Sequence, residues 1–142
     1  MTAARNGLCL CGACRFTATP EHGAHACHCG NCRTWSGGMF PALQCGTPAV
    51  FNRDAPLARY GSSDRAERVF CARCGSSAVW QMKDGSRQIF SIQAFESLGD
   101  FGIDSQIYVD RKPGSYAPAN RTEMLTEAGV IARYAIAGQG GA

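Results

Sequence analysis

The chain has 142 residues, 45% of them hydrophobic and 18% charged, a balance that suits one compact folded unit and excludes a mainly disordered chain. The net charge of +3 is carried by scattered arginines, with Lys83 and Lys112 the only lysines, so no basic block marks a nucleic-acid interface. No apolar run is long enough to span a membrane, and residues 1–7 lack the apolar core of a signal peptide, which makes the cytoplasm the expected setting.

In chain order, residues 7–45 hold seven of the nine cysteines and all three histidines, so chemistry is concentrated early. Within them Arg15-Phe16-Thr17-Ala18-Thr19 reads as a strand stopped by Pro20. Further on, Val69-Phe70, Ala78-Val79-Trp80-Gln81-Met82, Gln88-Ile89-Phe90-Ser91-Ile92 and Gln106-Ile107-Tyr108-Val109 read as strands, being rich in β-branched and aromatic residues and bounded by Gly, Asp or Ser. Lys83-Asp84-Gly85-Ser86 predicts a hairpin turn, because Asp-Gly accepts the backbone of tight turns. Pro113-Gly114-Ser115-Tyr116-Ala117-Pro118 reads as a loop. Residues 123–136 have helical character that Gly129 interrupts, so a strand at Val130-Ile131 is an equal alternative. Residues 138–142 are expected to fray. No linker or low-complexity tract divides the chain, and one domain over 1–142 is expected, with its core at about 5–112 and a variable tail at 113–142.

The cysteines come as an odd number, without an export signal, in tight C-x-C and C-x-x-C spacings; these features oppose a disulfide framework and indicate zinc ligation. Cys71-Ala72-Arg73-Cys74-Gly75 has knuckle spacing: two thiolates at a tight turn face one ion, and glycine lets the backbone turn its amides toward the sulfurs. A structural zinc needs four donors. Cys9 and Cys11 are the favoured second pair, because residues i and i+2 of a strand face the same side. Cys11 with Cys14 is the rival pair; Arg15 stands where a knuckle would have glycine, and Cys14 is expected in the core.

Cys27-His28-Cys29-Gly30-Asn31-Cys32 then supplies three sulfurs without an obvious fourth, the mark of a zinc with an open position. The alternative is a second closed site, completed by His25, His28, Cys14 or Cys45. His28 is expected to point away from the metal, His22 and His25 to be exposed loop residues, and Cys45 to be buried. Three thiolates leave zinc a poor Lewis acid for hydroxide chemistry and favour a soft incoming thiol. Arg33 offsets the site charge, binds a substrate carboxylate, or forms a surface ion pair. Trp35, Met39 and Phe40 line a pocket, form an interaction patch, or belong to the core. Cys9–Arg15 and Cys27–Arg33 share the pattern C-x-C-G-x-C-R.

Gly7-Leu8-Cys9-Leu10-Cys11-Gly12, Cys27-His28-Cys29-Gly30-Asn31-Cys32-Arg33 with Trp35-Ser36-Gly37, and Arg68-Val69-Phe70-Cys71-Ala72-Arg73-Cys74-Gly75-Ser76 resemble the glutathione-dependent formaldehyde-activating enzyme family, which shares its domain with centromere protein V. The resemblance implies a mainly β, Mss4-like fold of short antiparallel sheets around two zinc sites. It implies a structural zinc on Cys9, Cys11, Cys71 and Cys74 and a catalytic one on Cys27, Cys29 and Cys32. It further implies carbon–sulfur lyase chemistry on a small thiol adduct such as S-hydroxymethylglutathione, with glutathione as the thiol partner. A non-catalytic zinc-binding interaction module and a redox sensor are the other functions weighed. Members usually carry a branched or small residue at Cys14 and many a His at Gln106, and the tail matches poorly; Gln106 and the tail are expected near substrate.

Overall fold

A computed structural model describes residues 3–21, 23–46, 49–97 and 101–134. The expected fraying of 138–142 and the expected position of His22 lie outside these residues.

Two sheets organise the chain. The smaller has the order β1-β2-β5, from β1 (Arg5–Leu8), β2 (Arg15–Ala18) and β5 (Val50–Phe51). The larger adds β3 (Ala24–Cys27), β4 (Phe40–Cys45), β6 (Leu57–Gly61), β7 (Ala66–Cys71), β8 (Ser77–Met82), β9 (Gln88–Ser91), β10 (Ile103–Ile107) and β11 (Glu123–Leu125), in the order β11-β10-β3-β4-β9-β8-β7-β6. β10 lies parallel to both β3 and β11, and among the described residues the other strand pairings are antiparallel, so the expected short antiparallel sheets are corrected to one small antiparallel sheet and one mixed sheet of eight strands. Helix α1 (Gly30–Ser36) follows β3, and α2 (Glu127–Tyr134) follows β11. Among the described residues no helix is long and apolar enough to cross a membrane.

The large sheet buries both faces, and strand alternation assigns residues to each. Leu43, Cys45, Val69, Val79 and Phe90 face the small sheet in a core with Phe16 and Phe95. The Phe16 ring lies 4.7 Å from that of Phe90 and 5.2 Å, edge-on, from that of Phe95. Their neighbours Phe40, Ala42, Ala66 and Trp80 form a second cluster on the opposite face, with Cys27, Cys29, Cys32, Tyr108 and Val130.

Strands β7 to β10 overlap the sequence expectations, and Gly85 N–H bonds to Met82 O in the expected hairpin turn. Two expectations change. The chain leaves β10 at Ile107, because Tyr108 takes a left-handed backbone and starts a 3-10 turn. In the tail, Val130-Ile131 is helical: Thr126 accepts from Gly129 N–H through its hydroxyl and from Val130 N–H through its carbonyl. Val130 is buried against the second cluster, and that packing outweighs the helix penalty of Gly129.

Gly7 lies where the two sheets meet. A Cβ there would collide with the Phe16 ring and lie 2.6 Å from the Ala94 carbonyl. Gly7→Ala is therefore expected to destabilise the fold by about 2 kcal/mol. Urea denaturation checks this; an unchanged midpoint would contradict it.

Candidate metal centres

The first cluster forms where two turns meet. Cys9 and Cys11 belong to the β1–β2 turn, and Cys71 and Cys74 to the end of β7 and the turn after it. The expectation that Cys9 and Cys11 share one face of a strand is corrected. β1 ends at Leu8, and the sulfurs converge because the chain reverses, with Gly12 N–H bonding to Cys9 O and Cys9 N–H to Cys14 O. Gly12 (φ 77°) and Gly75 (φ 80°) take the left-handed backbone these reversals need. Leu10 N–H donates to Ser76 Oγ at 2.9 Å, joining the two turns directly.

The four Sγ atoms lie within 4.8 Å of one another. Cys9 and Cys11 sulfurs are 3.6 Å apart, and those of Cys11 and Cys71 are 3.9 Å apart. A tetrahedral zinc thiolate with bonds of about 2.3 Å requires sulfur separations of about 3.8 Å, so the donors fit zinc. Backbone amides support the sulfurs: Cys14 N–H points at Cys9 Sγ (3.3 Å), and Arg73 and Cys74 N–H at Cys71 Sγ (3.3 and 3.4 Å). Cys14 sits against this cluster without joining the four, its thiol pushed up to about 12 by burial and by Cys71 beside it.

The second cluster joins the end of β3 to the start of α1. Cys27 closes the strand, Cys29 caps the helix and Cys32 lies in its first turn, all 1–2% exposed. Cys29 Sγ accepts from Cys32 N–H at 3.4 Å. The three Sγ atoms also lie within 4.8 Å of one another, and among the described residues no fourth His, Cys, Asp or Glu donor joins them. The set suits a thiophilic cation with three protein ligands.

Arg68, from β7, is the neighbour the sequence reading did not single out. It is 2% exposed, donates from Nη1 to Cys32 Sγ at 3.6 Å, and lies 4.9 Å over the Trp35 ring. A guanidinium buried this deeply needs negative charge beside it, which thiolates provide. The available signal was parity: Arg68 shares its strand face with Ala66, which faces the cysteines. Arg33 instead donates from Nε to the His28 carbonyl at 3.0 Å, bracing the loop between the cysteines.

His28 points away from the sulfurs as expected. Its Nε2 lies 2.8 Å from Gln106 Oε1, while Gln106 Nε2 donates to Thr122 Oγ1 at 2.7 Å. Gln106 thus buttresses the ligand loop through His28. His25 is a strand residue, correcting the expected exposed loop; burial, and then Arg87, push its imidazole down to about 4. Cys45 is buried as expected, its thiol pushed up to about 12 by burial and by Glu21.

A cavity of about 580 Å³ opens beside the second cluster, with Cys27, Cys32, Phe40, Trp80 and Tyr108 in its lining. Trp35 packs against Phe40 (centroids 5.3 Å apart) beneath Arg68. Tyr108 has φ 57° and ψ 42°, a backbone that costs a non-glycine residue on the order of 1 kcal/mol. A second cavity, of about 560 Å³, touches Cys9 and Cys71 but has no charged residue in its lining.

Fold and sites together define a mainly β protein with two cysteine clusters able to coordinate metal ions. The model of the glutathione-dependent formaldehyde-activating enzyme family matches residues 4–111, and the chain belongs to that family. An uncharacterized lyase of Schizosaccharomyces pombe is 33% identical over 122 residues, which span 84% of this chain and 89% of the relative. A crystal structure of a Rhodobacter sphaeroides protein matches with a TM-score of 0.56 and 24% identity over 68% of this chain and 96% of that one, a likeness of fold.

Cys71→Ser is expected to lose one bound metal equivalent and to unfold the chain at ambient temperature, since structural zinc contributes on the order of 10 kcal/mol to small folds. Metal analysis with thermal melting checks this, and a retained melting temperature would contradict it. Arg68→Met is expected to weaken metal binding at the second cluster by roughly tenfold to a hundredfold. Competition with a chromogenic chelator measures it; an unchanged affinity would separate Arg68 from the thiolates.

Proposed function

We propose that this chain is a lyase-type enzyme of carbon–sulfur bonds, holding two zinc ions in a single Mss4-like domain and acting on a small thiol adduct such as S-hydroxymethylglutathione. The observation that carries the reading is the second cluster: three buried cysteines, with Arg68 beside them and a cavity on one side. Cys9, Cys11, Cys71 and Cys74 are assigned to the structural ion, and Cys27, Cys29 and Cys32 to the catalytic one. Zinc on three thiolates, when bound, accepts a fourth sulfur and holds an incoming thiol deprotonated.

The chain's own residues do the rest. Three thiolates and a dication leave a single negative charge, which Arg68 balances. With Arg68 beside it, a site that took up a further thiolate would carry a net charge of about −1 in place of −2. Phe40 and Trp80 keep an apolar wall against the cysteines, where water competes poorly for the reacting carbon. His25, Arg65 and Arg87 lie in the lining, where guanidinium groups suit the carboxylates of glutathione. Thiol ligands free of disulfides suit a reducing cytoplasm. Burial of the three cysteines favours this reading over a protein-docking module, which would display its chemistry on the surface.

Calorimetric titration of glutathione into protein carrying two zinc equivalents tests the proposal. Binding with a stoichiometry near one is expected. Cys29→Ser should lose at least a hundredfold in formaldehyde–glutathione exchange while melting near the parent temperature. Two zinc equivalents with neither glutathione binding nor exchange would refute the function.

A further inference from the structure

We propose that the carbonyl partner of this enzyme is an aldehyde with an apolar body, selected by a wall to which residues 123–134 contribute. The inference rests on the thiol-adduct reading above and names the second half of its substrate.

The first observation is the size and character of the cavity. About 580 Å³ falls within the range of pockets that enclose whole small molecules. With glutathione's carboxylates at the arginines, a one-carbon aldehyde would leave the apolar side of the cavity without a partner. Beside polar groups such as Gln44, Ser86 and Ser105, the lining includes Met82, Ile89, Ile107, Leu125 and Val130, side chains that offer dispersion contacts. The charged groups in the lining include Arg65 and Arg87, together with the Arg133–Glu123 pair at 2.8 Å. The cavity thus combines polar groups for a thiol's carboxylates with an apolar wall for an alkyl or aryl group.

The second observation is where that wall comes from. The family match ends at residue 111, whereas Glu123, Leu125, Val130, Arg133 and Tyr134 all line the cavity. Parallel pairing of β11 with β10 sets Leu125 opposite Ile107, which is itself opposite Cys27 on β3. Val130 then packs into the same cluster as the three cysteines. The segment is fixed in place: Arg111 pairs with Glu127 at 2.7 Å, Asp110 Oδ1 accepts from Glu127 N–H, and Arg133 grips Glu123 through both guanidinium nitrogens. It is a built wall, made by the part of the chain outside the family match.

The bond-making step asks nothing of the aldehyde's body. The thiol sulfur bonds to the carbonyl carbon and the C=O π pair moves to oxygen. That oxygen takes up the proton the thiol gives, so no oxidant or reductant is needed.

Stable thioethers test the wall without turnover. S-hexylglutathione should bind at least thirtyfold more tightly than S-methylglutathione by calorimetry, since each buried methylene is worth roughly fourfold in affinity. Val130→Trp should reduce that preference to less than fivefold. Should that variant fold poorly, Leu125→Phe serves the same comparison. In exchange NMR with glutathione, hexanal should react with a higher kcat/KM than formaldehyde. Equal affinity for the two thioethers, with formaldehyde the better substrate, would overturn the apolar aldehyde and leave the thiol-adduct function standing. Absence of any binding or exchange with either aldehyde would overturn both.

Discussion

Four sulfurs meeting between two turns is the constraint on which the rest of this structure depends. One turn closes the small sheet at β1–β2, and the other closes the β7–β8 hairpin of the large sheet. Without a cation, four thiols within 4.8 Å of one another cannot all ionise, and as neutral groups they are weak partners. With a cation, the same contact becomes the strongest link between elements some sixty positions apart in sequence. The aromatic core of Phe16, Phe90 and Phe95 lies between the sheets that this link holds together. Closing so long a loop costs entropy that a few buried rings offset only in part, and metal ligation is the term large enough to dominate.

The cysteine spacing made the membership of both clusters legible, because ligand pairs are local in sequence. Geometry was less legible. C-x-C-G-x-C-R occurs twice, yet the first copy reverses through Gly12 into a hairpin, while the second enters α1 at Gly30 with Cys29 as its cap. Seven identical or similar letters cannot decide between these outcomes; their neighbours do, with Arg15 beginning a strand paired to β1 and Arg33 continuing a helix. Strands with β-branched and aromatic residues were readable. β3, which reads Ala-His-Ala-Cys, was not, since its burial between β4 and β10 comes wholly from tertiary pairing. β4 was obscured by Pro41, tolerated because pairing with β9 begins only at Ala42. Arg68 was hidden for a related reason: nothing local reveals that an arginine in a strand faces buried sulfur.

Burial on both faces of one sheet separates stability from chemistry. Odd-numbered positions of β4 and β7 serve the aromatic core, and even-numbered positions serve the cysteine cluster. Cys45 falls on the first face and is inert, its thiol held protonated by burial. Cys14 is set aside differently: it lies beside the four-sulfur cluster, and the same burial keeps it neutral while its amide supports Cys9. Of nine cysteines, seven converge in two groups, and the protein makes the remaining two poor ligands by their surroundings.

The second cluster is built by one part of the chain and walled by another. Its ligands and Arg68 all fall inside residues 4–111, the span the family shares. Behind them, His28, Gln106 and Thr122 form a hydrogen-bonded chain that braces the ligand loop, with Gln106 between Ser105 and Ile107 of the cavity lining. In front stands the segment from Glu123 to Tyr134, whose anchors are ion pairs and one packed valine. Exchanging such a wall leaves sulfur geometry and charge balance untouched, because no residue in it is a ligand. The physical separation of ligand loop, buttress and wall lets the residues of the wall vary while the three cysteines keep their own supports.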